Sequence, residues 1–156
     1  MNLIGLPNDG LKKVADQLDV YLADLHVLYT KLHNYHWNVE GPEFFALHAK
    51  LEEMYDFVAE QIDEVAERIL MVGQRPSASL KSYLEKARLQ EADSVAIRGN
   101  ELVEQLLEDY SVIIKGLREG VEVAGEVGDE VSVDLMIGAL AEYEKTVWML
   151  RAFLQR

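Results

Sequence analysis

Along most of this chain apolar residues recur at alternating spacings of three and four, the period of a helix that buries one face. From about residue 9 to 38 they fall at Leu11, Val14, Leu18, Tyr21, Leu25, Leu28, Leu32 and Tyr35. Gly41-Pro42 stops this stretch and opens the next, proline being suited to a first helical turn. The second stretch runs from about 43 to 72 through Phe44, Leu47, Leu51, Met54, Val58, Ile62, Val65, Ile69 and Val72, and Gly73 supplies its stop. Each helix is about 40 Å long at the standard rise, and so short a link between them sets them antiparallel.

Residues 73 to 94 break the period. They hold a short amphipathic piece from Ser79 to Lys86, with Leu80, Tyr83 and Leu84, and then a polar stretch to Asp93-Ser94. This reads as a crossover carrying one small helix. A third long helix is expected from about 95 to 124 (Leu102, Leu106, Tyr110, Ile113, Leu117, Val121), ending in Gly125-Glu126-Val127-Gly128. A fourth is expected from about 130 to 155 (Val133, Met136, Leu140, Tyr143, Val147, Leu150, Leu154). No alternating β-branched run competes for strand assignment. The expectation is one all-α domain over residues 1–156, a four-helix bundle with a single long crossover that carries a short extra helix. That is the arrangement of ferritin-like folds.

Composition narrows the chemistry. The chain has no cysteine, which excludes thiolate metal sites and cysteine nucleophiles. Its 28 acidic residues against 15 basic ones give a net charge of −13, a surface that attracts cations and repels phosphate backbones. The opening Met1-Asn2-Leu3-Ile4-Gly5-Leu6-Pro7 lacks a basic, then apolar, leader pattern, and no apolar run reaches the roughly 18 residues of a membrane span. A soluble cytoplasmic protein with no membrane partner is expected.

The second helix carries the strongest candidate site. His48 and Glu52 are one turn apart, as are Asp63 and Glu67, and all four fall along one flank of the apolar stripe. Imidazole with carboxylate suits iron, zinc or manganese. Glu52, Asp56, Glu60 and Glu64 form a ladder of like charges that a cation would relieve, although for Asp56 and Glu60 a solvated face accounts for it, with Glu64 relieved by Arg68. The two pairs are centred about fifteen residues, or about 22 Å, apart, so one copy cannot bring both to one ion. Two copies can, if their second helices pack antiparallel about a twofold axis near residues 57 and 58. His36, near the end of the first helix, could add an imidazole, although a lone histidine on an apolar face is more often a satisfied core residue than a ligand. His26 and His33 are given no role, and Trp37, Trp148, Phe44 and Phe45 are read as core or interface fillers.

Tyr35-His36-Trp37-Asn38, Gly41-Pro42-Glu43-Phe44-Phe45, Leu47-His48 and Asp63-Glu64-Val65-Ala66-Glu67-Arg68 closely resemble the Dps family, the mini-ferritins named as DNA-binding proteins from starved cells. The likeness continues through Leu80-Lys81-Ser82-Tyr83-Leu84-Glu85, Gly128-Asp129-Glu130-Val131 and Val147-Trp148-Met149-Leu150-Arg151-Ala152-Phe153-Leu154. The resemblance implies a hollow dodecamer built from twofold dimers. It implies oxidation of Fe²⁺ to Fe³⁺ between twofold-related subunits, with hydrogen peroxide the preferred oxidant, and storage of ferric oxide inside; no haem is expected. Matched by motif, His36, His48 and Glu52 come from one chain and Asp63 and Glu67 from its partner. The family often carries aspartate where this chain has Glu52, one methylene longer. Trp37 resembles the family's tryptophan beside the site, thought to intercept stray oxidising equivalents. Asp129 and Asp134 match acids lining iron-entry pores, or else serve as N-terminal charges on the fourth helix. Larger ferritins use Glu-x-x-His within one subunit, a motif absent here.

The alternative function is a nucleoid protein coating and protecting DNA. The basic residues near the ends are few, Lys12, Lys13, Arg151 and Arg156, and the net charge opposes phosphate, so DNA binding is not expected. A non-catalytic helical scaffold is the third reading.

Overall fold

The computed structural model describes residues 2–155. Its long helices are α1 (Asn8–Asn38), α2 (Phe44–Met71), α4 (Gly99–Val127) and α5 (Glu130–Phe153), with a short α3 (Leu80–Lys86) between α2 and α4. They form two antiparallel hairpins, α1 on α2 and α4 on α5, joined by the expected crossover. The stripes meet in one core, where Leu18, Leu25, Leu28, Leu51, Val58, Leu102, Leu106 and Ile113 are inaccessible to solvent. No helix among the described residues is long and apolar enough to cross a membrane.

The crossover is pinned to α1 by two buried carboxylates. Asp19 accepts from the backbone and hydroxyl of Ser77, at 2.8 and 2.7 Å, and pairs with Lys86. Asp24 accepts from the backbone of Arg88 and Leu89 and from the Arg88 side chain. α3 itself begins at a Ser79 cap and buries none of its residues in this chain.

The third long helix departs from expectation at both ends. Residues 97 and 98 are not helical: β2 (Ile97–Arg98) pairs in parallel with β1 (Val39–Glu40), Val39 opposite Ile97. Burying these two β-branched residues against each other delays the helix start to Gly99. At the far end the helix runs through Gly125 and stops at Gly128, whose φ of 79° lies in the left-handed region that glycine enters freely.

Candidate metal centre

The α1–α2 turn brings His36 and His48 into mutual contact. Their rings stack with centroids 3.6 Å apart and planes 14° from parallel. Each ring bonds the other's backbone: His36 Nδ1 donates to the His48 carbonyl at 2.7 Å, and His48 Nδ1 donates to the His36 carbonyl at 2.8 Å. A carbonyl only accepts, so each Nδ1 carries a proton and Nε2 is the nitrogen left for a metal. His36 is buried and His48 half-buried, with Phe44 lying on the outer face of His48 at 5.1 Å.

Glu52 stands one turn beyond His48 and is exposed. Its Oε1 accepts from the Tyr55 hydroxyl at 3.2 Å, and the Tyr55 ring meets His36 edge-on at 5.2 Å. Tyr55 was missed by sequence reasoning; its spacing of three from Glu52 is the signal that could have found it. Trp37 is 69% exposed beside this cluster, its ring 5.4 Å from that of His33. Of the other aromatic residues read as fillers, Phe45 and Trp148 also lie outside the core, while Phe44 is half-buried.

Asp63 and Glu67 are both exposed further along α2, about three and four turns beyond Glu52. Among the described residues no three His, Asp or Glu side chains converge closely enough to hold an ion. The carboxylates of this flank are therefore solvated in the single chain rather than partly buried. The relief expected for Glu64 also differs, since Gln61 donates to it at 3.0 Å and Arg68 turns inward instead.

Asp129 takes up one of its two expected roles, that at the start of α5. It is 1% exposed, caps α5 by accepting from the Ser132 backbone at 3.1 Å, and takes the Arg68 guanidinium at 2.6 Å. Its second oxygen accepts from the Ser132 hydroxyl at 2.6 Å. With both oxygens engaged within the chain and no solvent face there, it serves as a structural cap of α5. Asp134, one turn on, is exposed.

Among the described residues the bundle interior holds no competing cluster of His, Asp or Glu. Tyr21, Tyr110 and Tyr143 are buried there, with Tyr21 and Tyr143 hydroxyls 2.8 Å apart and Gln61 accepting from Tyr21 at 3.1 Å. Burial pushes all three phenols far above their ordinary range, so they stay protonated and fill the space with neutral groups.

A ferritin-like domain model matches residues 15–156, and the chain belongs to the ferritin-like family. Within that class it is a member of the Dps group. It is 46% identical to DNA protection during starvation protein 2 of Bacillus anthracis, covering 93% of this chain and 99% of that one. The fold matches the Dps protein of Vibrio cholerae O1, described as one of the ferritin-like diiron-carboxylate proteins, with a TM-score of 0.94 and 42% identity over 99% of this chain and 96% of that one. It also matches the Dps protein of Bacillus brevis, with a TM-score of 0.90 and 41% identity over 94% and 97% of the two chains.

Proposed function

We propose that this chain oxidises ferrous iron with hydrogen peroxide at sites shared between twofold-related copies, and stores the ferric product inside a hollow dodecamer. The observation that carries this reading is the reciprocal His36–His48 clasp, which holds two imidazoles in the ligating tautomer beside the outward carboxylate of Glu52. The donor set is nitrogen and oxygen without sulfur, which fits Fe²⁺. Asp63 and Glu67 of a second copy complete the set when two α2 helices pack antiparallel. Leu70, Met71, Leu80 and Leu84, exposed at the α2 end and on α3, support coverage by such a copy.

The chemistry needs little beyond holding two Fe²⁺ ions together. Each ion gives one electron to a single peroxide, whose O–O bond breaks, and the two oxygens leave as hydroxide or water. Pairing the electrons in this way avoids releasing hydroxyl radical. The resulting Fe³⁺ hydrolyses to oxide in an acid-rich interior, and the exposed Asp134 remains available to line an entry route. Trp37, exposed beside the cluster, accepts stray oxidising equivalents in this reading. Protection of DNA then follows from removing iron and peroxide, because a chain of charge −13 does not favour coating phosphate.

The test is an anaerobic Fe²⁺ titration followed by peroxide, read by absorbance, with light scattering for particle mass. Two Fe²⁺ consumed per peroxide by a particle of dodecamer mass is the expected result. Replacing His36 and His48 by Ala should cut the oxidation rate about 10- to 100-fold; an unchanged rate overturns the proposal in favour of a non-catalytic scaffold.

A further inference from the structure

Glu52 is a long side chain in a position that asks for a fixed one. A glutamate carries one more rotatable bond than an aspartate, and freezing it at a metal costs entropy. Lys50, its nearest cation in sequence on α2, pairs with Glu53 at 3.0 Å instead. The group that does meet Glu52 is the Tyr55 hydroxyl.

We propose that Tyr55 is a positioning residue for the iron-oxidising site, its hydroxyl pinning one oxygen of Glu52 so that the other faces the cation. This rests on the reading of His36, His48 and Glu52 as iron ligands. The Tyr55 ring is held from three sides by α1. His33 stacks on it at 3.9 Å and 18°, while Tyr29 and His36 meet it edge-on at 6.3 and 5.2 Å. His33 is itself fastened, its Nδ1 2.9 Å from the Tyr29 carbonyl. The hydroxyl's place is thus set by α1, and Glu52's by the hydroxyl. The hydroxyl donates to Glu52 Oε1 and leaves the second carboxylate oxygen to the ion.

A double-substitution cycle on the assembled protein tests this, with wild type, Tyr55→Phe, Glu52→Asp and the pair compared for anaerobic Co²⁺ binding, a redox-silent probe read by its absorption. Tyr55→Phe should weaken Co²⁺ binding about tenfold with little change in unfolding temperature. In the Glu52→Asp background, where the shorter arm falls short of the hydroxyl, the same change should alter binding less than about twofold. Equal losses in both backgrounds, or no loss in wild type, overturn the role of Tyr55. A further variant with His36 and His48 replaced by Ala separates the two claims: if it binds Co²⁺ as tightly as wild type, the site reading itself fails and the role of Tyr55 falls with it.

Discussion

The two ends of α2 dispose of their polar groups in opposite ways. At the C-terminal end Arg68 is buried and meets its counter-charge within the chain, for the Asp129 carboxylate lies against it and Ser132 accepts from its Nε at 2.9 Å. At the N-terminal end His36 and His48 satisfy only their Nδ1 protons and keep Nε2 in reserve. Between them Glu52, Asp63 and Glu67 point to solvent. Charges that close on each other hold the bundle together, whereas the groups left half-satisfied on one flank are those proposed to carry the chemistry. The difference also explains why two acids of similar appearance in the sequence, Asp129 and Asp63, part ways: one has a guanidinium and a helix end to serve, the other neither.

The largest effect should come from breaking the closed end. Arg68→Ala leaves Asp129 buried without its counter-charge and should cost about 3–5 kcal/mol in urea denaturation. Asp63→Asn with Glu67→Gln should change stability by less than about 0.5 kcal/mol while stopping iron oxidation. Comparable destabilisation by both sets would erase the contrast. A sharper form mixes two inactive proteins, one lacking His36 and His48, the other lacking Asp63 and Glu67. Random re-pairing makes half of the dimers mixed, each with one intact seam, so about a quarter of wild-type activity should return; none returns if a single copy owns the whole site.

The smallest effect concerns acid. Burial alone would raise the Asp19 carboxyl, but hydrogen bonds from Lys86 and Ser77 outweigh it and hold it below its ordinary value. A depressed acid contributes stability above its unfolded value that is lost as pH falls through the folded one, here below about pH 4. Asp19→Asn should flatten this part of the stability profile, measured by thermal unfolding between about pH 2 and 5. An unaltered slope would show that the tie between α1 and the crossover is not ionic.

Much of this architecture was legible in the chain because helix period and helix stops are local signals. Leu11 through Tyr35 and Phe44 through Val72 declare α1 and α2 almost to their ends. The errors at α4 arise where the deciding contact is distant. Nothing near Ile97 announces that Val39 will pair with it, and Gly125 looks as good a stop as Gly128 until the backbone angle is seen. The candidate ligands on α2 were visible from their spacing of four. The clasp between His36 and His48 was not, because it depends on the angle at which the α1–α2 turn returns the chain. Tyr55 escaped notice for the same reason, since its ring is positioned by α1 while its hydroxyl reaches Glu52 on α2.

The two-residue parallel bridge has a consequence for how the molecule comes together. Val39–Glu40 and Ile97–Arg98 sit at opposite ends of a loop containing all of α2 and the crossover. Closing so long a loop early costs entropy that so short a ladder cannot offset, so the bridge zips only after both hairpins have docked. Its amides are a natural clock for assembly of the chain, the last to gain protection from deuterium during refolding and among the first to surrender it.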